Sequence, residues 1–264
     1  NNTVPALSNG QQVGTYELEP NTGKVIFKPN KNFYGTPDPI VVQVSDTDGK
    51  AHRARYQPTV TKVTPTSTSA ESTGLQGQPQ SGKPTFTPGD QAVPIDLDEP
   101  MTFENGQATK SVQGVGEYKI NSDGTITFTP EKQFVGTPTP VTVKRVDKNG
   151  TEVTVTYKPT VTKVTPTGTG NKTSGLQGQV QTGKVNFTPG HASVPFPAGS
   201  TPLFDNGTTV KEVPNVGKFE VDADGNVTFT PNKQFKGETP ELELTRVDAN
   251  GTPVTVKYQA VVRE

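Results

Sequence analysis

Oxygen-bearing side chains two residues apart are the first places in this sequence where chemistry could reside. They are Asp46 and Asp48 in "SDTDGK", Asp147 and Asn149, and Asp248 and Asn250. Such spacing could open a calcium loop. Calcium takes six to eight oxygen ligands, however, and a loop of the EF-hand kind needs further acids and a Glu twelve residues from the first Asp, none of which follow. Asp or Asn before Gly is itself a hairpin signal, so these positions read as turns. Calcium sites between domains would need acids in the linkers, which carry little but Glu71.

Lys31, Lys132 and Lys233 recur before a Phe and could supply the amine of a Lys–Asn isopeptide bond. Each follows Pro-Asn or Pro-Glu in a polar turn, where a lysine is ordinarily solvated. Asn149-Gly150-Thr151, Asn206-Gly207-Thr208, Asn226-Val227-Thr228 and Asn250-Gly251-Thr252 match the glycosylation acceptor pattern, and read equally as turn Asn followed by strand Thr. His52 and His191 have no second candidate ligand nearby in sequence. A glycosidase would need a fixed pair of carboxylates. The acids here sit in turns and differ between related segments, as Asp98 against Gly199 does. The expectation is a protein that is not an enzyme, with no catalytic, cofactor-binding or metal-ligating residue.

Composition points the same way. Among 264 residues there is no Cys, no Trp, one Met and two His, which leaves no thiol nucleophile and little material for a histidine relay. Hydrophobic residues make up 28%, near the floor for burying a core, while 25 Pro and 27 Gly stay below the share typical of low-complexity disorder. Net charge is −1, with 26 acids and 25 bases interspersed, which offers no footprint for nucleic acid or an anionic membrane. No apolar run approaches the ~20 residues of a spanning helix. The chain starts at Asn1 rather than Met, and reads as a piece of something longer.

The elements that carry these residues repeat. "GLQGQ" at Gly74 returns at Gly175, "KRVDKNGT" at Lys144 returns as "TRVDANGT" at Thr245, and Phe86, Phe128 and Phe134 return as Phe187, Phe229 and Phe235, always 101 residues later. Roughly half of the aligned positions are identical, so these two copies are sisters. An earlier copy keeps the offset from Val25 to Val60 but lacks the "GLQGQ" opening, and reads as truncated or divergent. Thr/Ser/Pro/Gly stretches at Thr64–Gly74 and Thr165–Gly175 mark linkers. The domains expected are 1–66, 67–166 and 167–264.

A period of 101 fits a small domain rather than a solenoid unit. Tyr118 and Ile120 alternate into the turn "NSDGT", and Ile126 and Phe128 alternate away from it, which predicts a hairpin with one apolar face. Val141 and Val143, then Asn149-Gly150, then Val153, Val155 and Tyr157 predict another, with a two-residue type I′ turn. Proline recurs too often for helices. Between Phe128 and Phe134, Pro130 should end the ladder and a glycine should let the chain turn a corner between sheets. Arg145 and Arg246 fall at inward strand phase, and are expected at an end of the sandwich, paired with an acid or with the adjoining copy. The fold class expected is all-β: tandem antiparallel Ig-like β-sandwich domains arranged as an elongated rod.

From Ser67 to Glu264, "STGLQGQPQSGKPTFTPGD", "SDGTITFTPEKQFVGTPTPVTVKRVDKNGT" and "YKPTVTKVTPT" resemble the fibril repeats of CshA-type cell-surface adhesins of streptococci and related Gram-positive bacteria. The first copy, "VIFKPNKNFYGTPDPIVVQVSDTDGK", is also similar to the broader class of bacterial Ig-like and cadherin-like tandem domains. The resemblance implies an extracellular, cell-wall-anchored filament of many such repeats, with adhesion assigned to a non-repetitive region outside this sequence. It implies a monomeric stalk segment whose partners are the neighbouring repeats of its own chain, with no nucleic acid and no membrane. Contact with host matrix or other microbial surfaces would come through regions outside the sequence. The rival reading is a direct binding module for a host matrix glycoprotein or glycan, which exposed aromatics would favour.

Overall fold

The computed structural model describes residues 2–264, and every regular element among them is a strand. The second copy folds as two facing four-stranded sheets. One runs in the order Thr102–Phe103, Val141–Val146, Glu152–Thr162, Ala70–Leu75, and the other in the order Thr109–Val112, Gly116–Ile120, Ile126–Pro130, Gln80–Gly82. The third copy repeats both orders, with the short strand Gly237–Glu238 added beside Pro253–Arg263. Pairing is antiparallel as expected except at one ladder in each of these copies. There the opening strand lies parallel to the closing one, with Tyr157 opposite Ala70 and Tyr258 opposite Asn171.

Aromatic rings fill the space between the sheets. Phe103, Tyr118, Phe128 and Tyr157 are fully buried, as are Phe219, Phe229 and Tyr258 in the third copy. Tyr118 stacks on Phe128 at 4.6 Å between centroids, and Phe219 on Phe229 at 4.4 Å. Tyr157 and Tyr258 meet these stacks edge-on, a geometry that the ring quadrupole favours. A glycine seats the inner ring. A Cβ on Gly116 would stand 2.9 Å from the Phe128 ring and 2.3 Å from the Thr129 carbonyl oxygen, at a φ of +152°. Gly217 does the same for Phe229, and Gly14 does so for Phe27.

The corner follows the sequence reading. Pro130 is buried, Phe134 packs edge-on against Phe128 at 6.5 Å, and Gly136, with a φ of +112°, bridges to Val161. The Asn149-Gly150 turn does not. Only Gly150 has positive φ, and Gly150 N–H donates to the Asp147 carbonyl while Asp147 N–H donates to that of Thr151. It is a type I turn closed by a left-handed glycine, chosen because the buried Asp147 carboxylate accepts the N–H of both Asn149 and Thr151. The two-residue Asn-Gly turn, with both residues at positive φ, occurs instead at Asn9-Gly10.

A polar clasp holds the parallel strand. The Tyr157 hydroxyl donates to Ser72 Oγ at 2.6 Å, Ser72 donates to Gln80 Oε1 at 2.5 Å, and Gln80 Nε2 donates to the Thr160 carbonyl at 3.1 Å. Tyr258, Thr173, Gln181 and the Val261 carbonyl form the same chain. The first copy contains one sheet of Thr3–Ser8, Gln11–Leu18 and Val25–Pro29 and a separate hairpin of Ile40–Ser45 and Ala51–Tyr56. Among the described residues no strand lies parallel to Ala51–Tyr56. Tyr56 is only half-buried there, and Val41 and Val44 are exposed.

Two substitutions read this core. Gly116→Ala should cost about 2–3 kcal/mol, because both the ring and the backbone of the facing strand must move; urea unfolding of the chain checks it, and a loss below about 0.5 kcal/mol would remove the seat from the account. Tyr118→Phe should leave stability unchanged or raise it by about 1 kcal/mol. The Tyr118 hydroxyl is buried without a hydrogen-bond partner, and burial, then the nearby Tyr157, push its pKa up to about 12. Phe219 stands at the same place in the third copy.

Candidate functional site

The residues singled out in the sequence lie mostly apart. Lys31, Lys132 and Lys233 are exposed in the corner turns, which denies an isopeptide bond the buried amine it needs. His191 accepts the Ser193 N–H within its own loop, and His52 pairs with Asp46 at 2.9 Å. That hydrogen bond, then the Lys50 N–H, hold the Asp46 carboxyl below its usual range. Asp147 and Asp248 are almost fully buried, each with one oxygen occupied by turn N–H groups and the other without a hydrogen-bond partner. Among the described residues no three His, Asp or Glu gather as a metal would require.

Arg145 and Arg246 do sit half-buried at the inward phase, but their partners differ from those expected. Arg145 Nη1 donates to the Glu99 carbonyl at 3.2 Å, and Arg246 lies over the Phe196 ring at 4.6 Å with Nε 3.4 Å from Ser200 Oγ. Each is satisfied inside its own copy by a carbonyl or a ring face, with neither a carboxylate nor the adjoining copy involved. Among the described aromatics only Tyr34 is exposed, with the Lys62 ammonium 5.0 Å above its ring.

What the fold does bring together is the end of one copy and the head of the next. The opening strand Ala70–Leu75 runs out along the closing strand, and the Gln76 N–H continues the ladder to the Thr162 carbonyl. Gln76, 4% exposed, then turns inward: its Nε2 donates to the Lys132 carbonyl at 2.9 Å and its Oε1 accepts the Val164 N–H at 3.1 Å. One carboxamide thus ties the corner of the second copy to the start of the linker. The Gln76 backbone carbonyl faces outward and accepts from Asn250 Nδ2 at 3.0 Å. Asn250 is also 4% exposed, although it comes from the hairpin turn at the head of the third copy.

Glycine makes room for this meeting. A Cβ on Gly77 would lie 2.0 Å from Asn250 Oδ1, and one on Gly251 would lie 3.2 Å from Gln133 Nε2. Gln78 Nε2 adds a contact to the Ser193 carbonyl at 3.3 Å. On either side lie shallow clefts of about 510 and 560 Å³, lined by Lys132, Gln133, Lys163 and the turn. The junction between the first and second copies sets the corner at Lys31–Tyr34 against the Asn149-Gly150 turn. A cleft of about 370 Å³ lies between them, and Asn149 is half-buried. "GLQGQ" reads in the sequence as the marker of a domain's beginning; its structural place is the domain's far end. The signal in the sequence that points there is Gly77, directly after Gln76.

Comparison with known proteins supplies the family. The profile described as the surface adhesin CshA repetitive domain matches residues 1–60, 62–161 and 163–262. A search of curated proteins gives no match. Among solved structures, repeat domain 13 of the fibrillar adhesin CshA from Streptococcus gordonii is 63% identical over 26% of this chain and 90% of its own, with a TM-score of 0.17. Mouse cadherin-23 EC22-24 is 15% identical over 99% of this chain and 86% of its own, with a TM-score of 0.33, and the titin I9-I11 tandem is 11% identical over 98% and 88%, with a TM-score of 0.35. Overlays at such scores carry no argument, whereas the profile runs through all three copies and leaves only a few residues uncovered. By that match the chain belongs to the repetitive-domain family of the CshA surface adhesin.

Proposed function

We propose that this chain is a structural stalk segment of a bacterial cell-wall-anchored fibrillar adhesin, divided at 1–66, 67–166 and 167–264, which holds an adhesive region away from the cell surface. The observation that carries this reading is the buried contact between Gln76 and Asn250. A device that fixes the end of one copy to the head of the next sets distance and direction, and neither partner is presented for catalysis or capture. A direct binding module would present several aromatic side chains in clefts, whereas of the described rings only Tyr34, at the cleft between the first and second copies, is exposed; this supports the stalk over the module. The segment works as a monomer joined to neighbouring repeats of its own chain. It meets host matrix or microbial surfaces only through regions outside this sequence.

Small-angle scattering in solution, with and without EDTA, tests the reading. A single compact body of this length has a radius of gyration of about 18 Å, and three domains of about 13 Å in line give about 30 Å. The stalk predicts a value of about 30 Å that EDTA leaves unchanged. A value of about 18 Å, or a collapse on adding EDTA, would overturn it.

A further inference from the structure

The tail that receives Asn250 occurs twice in this chain, and the head of the third copy covers the first of the two. Gly74-Leu75-Gln76-Gly77-Gln78 is covered by the head of the third copy, with Gln76 buried and Leu75 half-buried. Gly175-Leu176-Gln177-Gly178-Gln179 has the same residues in the same backbone setting: the Gln177 N–H donates to the Arg263 carbonyl at 2.8 Å as that of Gln76 does to Thr162, and Gly178 has a φ of +77° where Gly77 has +79°. Yet Gln177 is exposed, as are Leu176 at 42% and Val180 at 59%, and a Cβ on Gly178 would meet nothing within 4 Å.

The heads differ in a complementary way. At the equivalent turn position the third copy carries Asn250, the second carries Asn149, and the first carries Asp48. The tail offers a carbonyl oxygen, so it needs a donor. An asparagine supplies one through Nδ2. An ionised aspartate supplies none, and desolvating a charge against a carbonyl costs more than leaving it in water. The turn itself does not discriminate, because the acid two residues earlier, Asp46, Asp147 or Asp248, accepts the N–H of that residue in every copy.

We infer that the Gly-Leu-Gln-Gly-Gln tail is a receptor for the Asn-Gly turn at the head of a following repeat, and that the face at Gly175–Gln179 takes the head of a further repeat with asparagine at that turn and rejects one with aspartate there. The order in which repeats stack rigidly is thereby written in one side-chain amide per head. This holds whether or not the chain serves as a stalk.

The test extends the full chain by a second copy of residues 164–264, placed after Glu264. This restores Val164 where its N–H can meet Gln177 Oε1, as it meets Gln76 Oε1 in the occupied junction. Residual dipolar couplings report whether the third copy and the added one share one alignment, and side-chain amide exchange reports burial of the added asparagine. The expected result is a common alignment, with that carboxamide exchanging about 10-fold or more slowly than that of Asn149. Asn250→Asp in the added copy should release the alignment while that copy still melts as a folded unit. Gly178→Ala should leave the third copy folded in the original chain, lowering its melting temperature only by the strain of a Cβ at that positive φ, and should block docking in the extended one. Independent alignment of the unsubstituted extension overturns the inference, and so does a common alignment that survives both substitutions.

Discussion

The parallel ladder between the opening and closing strands is the constraint on which each complete copy depends. Without it, the closing strand would show a bare edge and the buried Tyr157 or Tyr258 hydroxyl would have no acceptor. An unpaired edge invites other strands, and an unpaired buried hydroxyl costs about 1–3 kcal/mol. Small residues make the ladder possible. A Cβ on Gly82 would stand 2.5 Å from the Tyr157 ring, and one on Gly74 would press on Gln80. The opening strand that completes this ladder then emerges at its far end as Gln76. Folding a copy and preparing it for the next are therefore a single structural event.

The junction that results is built from amides rather than from apolar area. Hydrophobic contact is tolerant of register and rotation, whereas a buried carboxamide is favourable only where its donors and acceptors all find partners. Gln76 meets the Lys132 carbonyl, the Val164 N–H and Asn250 Nδ2 by three different atoms, which fixes three segments at once. No ion pair crosses this contact among the described residues. Its strength should accordingly depend little on salt, unlike that of a charged junction. A sequence with only 28% hydrophobic residues could not devote apolar side chains to every junction and still fill every core.

Much of a copy's interior is legible in the sequence, because strand alternation is a local signal. Tyr118, Ile126 and Phe128, which alternate as the apolar face of a hairpin, are all fully buried, and the 101-residue period alone separates the sister copies. What stays hidden is non-local. Ala70 pairs with Tyr157 across almost the whole length of a copy, and no pattern within either strand announces a parallel partner. Asn149-Gly150 departs from the type I′ turn that its residue types favour because the deciding group, the Asp147 carboxylate, acts through burial that a sequence window does not report. Gly116 is one glycine among many in the sequence, and the three glycines that seat a Phe are set off by the ring they face rather than by their neighbours along the chain.

The acid at the base of each head turn completes the logic. Asp248 accepts the N–H of Asn250 and of Thr252 at 2.9 Å, and the Ala249 N–H reaches back to the Pro195 carbonyl. The turn is held on both flanks before it meets anything, so docking has little conformational entropy left to lose. Asp147 holds Asn149 in the same way, whereas Asp46 in the first copy is exposed and shared with His52. A head whose asparagine is already aimed, and a tail whose glycine has already cleared the space, let copies be added one after another without any change to their interiors. Length then becomes a property the sequence gains by repetition alone, provided that each new head keeps its amide.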